Sequence, residues 1–311
     1  MDTNLIREIL RRENKRRLIY PYYKGRYAIH LLRGLIGEAM PIRKLRQSPA
    51  SSLLHSPAVQ PALQAAGDGV LRKEQLELCW PEDACEFVLD FGIWEEDYQW
   101  AQTSRPGANL VVRLNFSNRH DRRYQEVLAN RPAYGFNNWG HPVNTDGRAT
   151  LAWARVDVDP DNGEALIEEI QNDWLRTVRR VAKYGLRCRK PQCACLRKTQ
   201  AYARAMRYYE AIWSEAMLAA TLEYLHSELS IARVYYHSFD TCCVLKRLKD
   251  NDWLPPKSVY EQVPRRFAMQ TVPTAPKLVT QCSSARRRLR KVAKPRWFTP
   301  STLPMGGLHH A

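Results

Sequence analysis

Residues 150–174 limit what this chain can fold into more tightly than any other stretch. In TLAWARVDVD (150–159), Leu151, Trp153, Arg155 and Asp157 share one side and Ala152, Ala154, Val156 and Val158 the other, which is the period of a β-strand. PDNG (160–163) predicts a tight turn: Pro160 presets φ, Asp161 and Asn162 bond their own backbone, and Gly163 takes a positive φ. EALIEEIQNDW (164–174) reads as the returning strand, so the two form a hairpin. That second strand carries Glu168, Glu169, Gln171 and Asp173 where a buried strand is apolar, and strands disfavour such residues unless something specific holds them.

On either side of the hairpin the pattern alternates between strand and helix. CEFVLDFGIW (85–94) and NLVVRLNFS (109–117) predict strands, NRHDRRYQEVLANRP (118–132) a short helix stopped by Pro132, and YGFNNWGHPVNTDGR (134–148) a loop. Beyond it, 199–229 reads as one long helix with Met206, Tyr209, Trp213, Met217, Ala220 and Tyr224 on its apolar face. IARVYYHS (231–238) predicts a strand, FDTCCVLKRLKDND (239–252) a helix with Ser238 or Asp240 as N-cap, and 255–272 an extended piece. The fold class is therefore α/β (α+β), a mixed, largely antiparallel sheet with helices on both faces. RYAIHLLRGLIGEA (26–39) is apolar enough for burial as strand or helix, and the Ser- and Pro-rich 46–70 reads as linker or irregular structure. These readings divide the chain into a basic helical and irregular region (1–75), an α/β domain (76–280) and a disordered basic tail (281–311).

Charge is uneven. The chain's net charge is +16, with +8 in residues 1–50, −5 in 51–160 and +7 in 281–311. Basic ends suit a nucleic acid or an acidic protein as partner, and equally suit plain solubility. No run approaches about 18 apolar residues, so no membrane span is expected. The opening MDTNLIREILRRENKRR carries charges where a secretion signal needs an apolar run, and eight cysteines do not make a dense disulfide framework, so the expectation is a reducing cytoplasm.

The order of elements from 109 to 272 resembles the GNAT superfamily of N-acetyltransferases. In that fold an antiparallel hairpin leads into a helix whose N-terminus receives the pyrophosphate of coenzyme A; a strand, a helix and a closing strand follow, where VYEQVPRRFAMQ sits in this chain. The resemblance implies an acyl-coenzyme A-dependent N-acyltransferase using acetyl-CoA. It makes Glu169 or Glu168 the base that deprotonates an amine, with Trp174 as pocket floor. Gln171 matches the first position of the family's Gln/Arg-x-x-Gly-x-Gly/Ala loop, but 172–177 are Asn, Asp, Trp, Leu, Arg and Thr, and the first glycine is Gly185. Arg176, Arg179 and Arg180 are the cations that would hold phosphate in place of the glycines. The segment ALIEEIQNDW also resembles the IEEIQSDW segment of large polyvalent proteins of phages and prophages, and 139–272 resembles uncharacterised bacterial proteins. Neither likeness implies an activity; the first implies a mobile-element origin.

Other side chains are weighed on residue type alone. Glu169, Gln171 and Asp173 would converge at the strand end as a site, or be the solvated carboxylates of an edge strand. His237, at a strand end, is a candidate acid or base, or a structural histidine. His141 sits in a Gly/Pro loop with Asn138 and Trp139, where either function or turn chemistry accounts for the composition. Cys188, Cys193 and Cys195 lack zinc-knuckle spacing, and free thiols made reactive by neighbouring bases are the expectation, with no metal. Cys242 and Cys243 begin a helix, where the dipole lowers a thiol pKa. Tyr260, Arg265 and Arg266 lie on the closing segment, as a proton donor and anion ligands or as turn residues.

Overall fold

In this computed structural model residues 1–13, 18–78, 84–95, 102–128, 135–144, 147–184, 194–248, 254–302 and 309–310 are described. The strands are β1 (Leu18–Tyr22), β2 (Ala39–Pro41), β3 (Val70–Arg72), β4 (Cys85–Trp94), β5 (Asn109–Phe116), β6 (Thr150–Asp159), β7 (Glu164–Gln171), β8 (Arg233–His237), β9 (Gln270–Val272), β10 (Trp297–Thr299) and β11 (His309–His310). Nine of them form one sheet in the order β11-β1-β4-β5-β6-β7-β8-β10-β9, with β2 and β3 paired separately. Every pairing in the large sheet is antiparallel except β7 with β8.

The helices before the hairpin are α1 (Thr3–Glu13), α2 (Arg26–Ile36), α3 (Ile42–Arg46), α4 (Gln60–Ala65), α5 (Lys73–Glu77) and α6 (Asn118–Leu128). After it come α7 (Trp174–Tyr184), α8 (Ala194–Ala205), α9 (Arg207–Ser227), α10 (Phe239–Leu245), α11 (Lys257–Arg266), α12 (Lys277–Thr280) and α13 (Ser283–Leu289). None of the helices among the described residues is long and apolar enough to cross a membrane.

The hairpin forms as its residues dictate. Gly163 has φ +62°, its N–H donates to the Pro160 carbonyl at 3.0 Å, and Asp159 Oδ1 accepts from the Asn162 N–H. Ala152, Ala154, Val156 and Val158 join the main core, where α9 packs its own Ala216, Ala219 and Ala220, small residues that let helix and sheet approach closely. A smaller cluster of Leu166, Tyr235, Leu245, Leu278, Val279, Ala285 and Trp297 covers the opposite side.

Two irregularities shape the end of β7. Against β6, Arg155 pairs with Glu169 and the next residue, Val156, with Ile167, so Glu168 is the extra residue of a β-bulge. Against β8, the pairing runs only from Glu164↔Arg233 to Ile167↔Tyr236. The carboxyl end of β7 therefore continues to Gln171 without β8 beside it.

Several expectations need correction. In the tail expected to be disordered, residues 281–302 fold: α13 packs on α10, and β10 enters the sheet between β8 and β9 with Trp297 fully buried. The aromatic pair Trp297-Phe298 supplies the apolar surface that the surrounding charges obscure in the sequence. The basic N-terminal region is woven into the same sheet through β1, whereas the burial expected of 26–39 holds for α2, which takes the helical alternative. Residues 46–70 hold short helical turns and α4 rather than linker. The single helix over 199–229 is two, α8 and α9, meeting at Met206, and α9 is buried on most of its circumference. Residues 257–266 are the helix α11, because Val259, Tyr260 and Val263 fall on one buried face.

Candidate functional site

The bulge brings the two glutamates of β7 into one buried polar centre. Glu169 Oε1 accepts from Arg155 Nε at 2.7 Å, and Glu169 Oε2 from Lys246 Nζ at 2.8 Å. Glu168 takes the Ser104 N–H on Oε1 at 2.9 Å and the Ser104 hydroxyl on Oε2 at 2.8 Å. His237 Nε2 lies 2.9 Å from Ser104 Oγ and 3.3 Å from Glu168 Oε2. All six residues are buried. Two carboxylates face two cations, so the cluster is charge-balanced, which is the condition for keeping charges away from water.

Burial alone would raise both carboxyls. For Glu168 the hydrogen bond to His237 and the charge of Lys246 outweigh it, and for Glu169 the charges of Arg155 and Lys246 do, so each is held down at about 2. Burial dominates at His237 and lowers its pKa, so the imidazole is neutral. Ser104 Oγ already donates to Glu168, so Nε2 must carry the imidazole proton and face the serine as a donor. A nucleophilic serine needs the reverse, a bare nitrogen to take its proton. The centre is thus a sealed ionic network, and Glu168 and Glu169 are neither accessible nor basic near neutral pH.

A second centre forms two residues past the strand. β7 ends at Gln171, and Asp173 stands at the start of α7 rather than on the strand. There the buried Asp173 Oδ2 accepts from Trp153 Nε1 at 2.9 Å and from His141 Nδ1 at 2.7 Å. The His141 ring also meets the Trp153 indole edge-to-face at 5.4 Å between centroids. The carboxylate makes Nδ1 the donor, so in the neutral ring Nε2 is the acceptor nitrogen. The His141 side chain is 29% exposed against 4% for Asp173, and among the described residues Nε2 has no hydrogen-bond partner.

The remaining candidates fall around these two centres. Trp174 is fully buried, donates to Tyr202 Oη at 3.0 Å and belongs to an aromatic core with Phe116, Tyr124 and Phe136. Gln171 is half-buried at the end of β7, opposite Trp153. Arg176 is exposed, 4.0 Å from Asp173 Oδ1, and Arg179 pairs with Glu210 at 2.6 Å. Asn172 Oδ1 takes the Leu175 N–H at 2.8 Å. With that donor used and the Asp173 carboxylate beside it, the first turn of α7 does not fit a pyrophosphate. Cys242 is buried and its thiol is pushed up to about 12 by burial, which overrides the helix-start effect expected for it. Tyr260 is buried and stacked on Tyr236, and Arg265 and Arg266 are exposed on α11. Cys188 and Cys193, and the Cys195 side chain, lie outside the described residues.

Sequence reasoning missed Ser104, Lys246 and the role of Arg155. Ser104 has no periodic signal, and its partners Glu168 and His237 are 64 and 133 residues away. Arg155 did carry one, an arginine between Trp153 and Asp157 on one face of a largely apolar strand, which calls for a buried acid nearby. No family model, curated protein or solved structure matches the chain.

Proposed function

We propose that the chain is an enzyme of acetyltransferase-like architecture in which His141, oriented by Asp173, is the general base of an acyl transfer to an amine. The Asp173–His141 pair supports the reading: a buried carboxylate on Nδ1 of a part-exposed histidine, with no hydrogen-bond partner for Nε2 among the described residues, is the arrangement that lets an imidazole accept a proton from a substrate. The acyl class rests on the order of elements and on the parallel pairing of β7 and β8, which ends at Ile167 and Tyr236. Ligands of open α/β sheets bind beyond the carboxyl ends of parallel strands.

In this reading Nε2 removes a proton from the incoming amine as its nitrogen attacks the acyl carbonyl. Asp173 balances the imidazolium through Nδ1–H. The proton then passes to the departing group of the acyl donor, which leaves the imidazole neutral. Trp153 holds Asp173 from behind and limits its rotation.

Radiolabelled acetyl transfer tests it, with acetyl-CoA and an activated acetyl ester as separate donors and a panel of primary amines as acceptors. His141→Ala should lower the rate by about 10²–10⁴. Failure of both donors, or an unchanged rate in His141→Ala, removes the proposal.

A further inference from the structure

Three neighbouring helices carry a concentration of positive charge that their packing does not explain. Helix α8 packs on both α6 and α7. Together with the first turn of α9 these helices hold eleven basic and three acidic side chains, a net +8 against +16 for the chain. Arg119, Arg122 and Arg123 lie exposed on one side of α6, around an open cavity of about 460 Å³. On α7, Arg179 is paired with Glu210 and Arg176 only grazes Asp173.

Neutral contacts hold the helices together. Tyr202 of α8 accepts from Trp174 of α7 and bonds His120 of α6 at 2.7 Å, and Tyr124, Phe136 and Phe116 close around them. Like charges are thus gathered at an electrostatic cost that an aromatic core offsets, and a polyanion would remove that cost.

We propose that this layer binds double-stranded nucleic acid through its phosphates, independently of the His141–Asp173 pair. Nine of the eleven bases are arginine, whose planar fork matches phosphate oxygens. The aromatic rings of the layer are turned inward, and Tyr184 is its one exposed large side chain of that kind among the described residues. Stacking on unpaired bases is therefore not what the surface offers, and backbone contact is.

The test is fluorescence anisotropy of the full chain with a labelled DNA duplex of about two helical turns, an RNA duplex and a single strand, over a salt series. Affinity for the duplexes should fall steeply with salt. Arg119→Gln/Arg122→Gln/Arg123→Gln should flatten the log–log salt slope by about 2–3 and weaken binding about tenfold or more at low salt, since each lost phosphate contact removes about one unit of slope. Arg286→Gln/Arg287→Gln/Arg290→Gln, exposed on and just after α13, is the control for charge alone and should change the slope less. An α6 variant indistinguishable from the original chain overturns the proposal, as does equal loss from the α13 control. Tighter binding to single strand, to polyglutamate or to anionic vesicles than to duplex also overturns it. Equal binding of DNA and RNA duplexes supports it, because phosphates are common to both.

Discussion

Glu168 and Glu169 on one side of Gln171, and Asp173 on the other, build two polar centres that differ in closure. Each glutamate is buried with its oxygens engaged by Arg155, Lys246, Ser104 or His237. Asp173 is as deeply buried but meets Nδ1 of a part-exposed imidazole rather than a buried cation. Adjacent acidic residues thus serve opposite ends. Paired with fixed cations, a carboxylate locks a strand end; paired with a part-exposed histidine, it orients a ring that the proposed function uses as a base. Exposure and partner, rather than residue type, make the difference.

The comparison breaks first at Glu169. Glu169→Gln leaves the buried Arg155 and Lys246 facing one carboxylate, Glu168, instead of two, and should cost about 3–5 kcal/mol in urea unfolding; a loss under about 1 kcal/mol would mean that the centre is not closed. Acid should act next. Both glutamates are held near 2 from an ordinary 4.5, so their stabilisation is complete above pH 4.5 and is lost as pH falls toward 2. Circular dichroism at fixed urea should show the midpoint dropping across that window, and a flat profile would contradict the ion pairing.

Glu215 sharpens the point from the other side of the sheet. It is buried, it accepts the Gly25 N–H at 2.8 Å, and no cation lies within salt-bridge distance among the described residues. Burial raises its carboxyl to about 7. The stability it contributes is complete below 4.5 and is lost as pH rises through about 7, so Glu215→Gln should stabilise the protein at pH 8 by on the order of 1 kcal/mol and do little at pH 5. Equal effects at both pH values would sink this account. The smallest stability change belongs to His141→Ala, at under about 1 kcal/mol, because the ring is part-exposed and Trp153 still donates to Asp173. A large loss there would make the pair structural.

Much of the framework is legible in the sequence because it is local. The alternation of 150–159, the Pro160–Gly163 turn and the strands at 85–94 and 109–116 follow from backbone sterics and the burial of every second residue. The odd polarity of 164–174 is also visible there, as a demand that something distant neutralise it. His237 reads as a strand-end histidine and His141 as a loop residue, without their partners.

What the amino acids determined alone is thus the hairpin, the α/β pattern and the presence of carboxylates that a strand would not tolerate unaided. Tertiary structure decided which carboxylate meets which partner: Glu169 finds Lys246 across 77 residues, and Asp173 finds His141 across 32. It also decided the bulge at Glu168, the burial of Trp297 inside a basic tail and the gathering of three basic helices around Tyr202. Local conformation depends on neighbours within a few residues, whereas burial and ion pairing depend on which segments fold against each other, and that is settled only when the whole core packs.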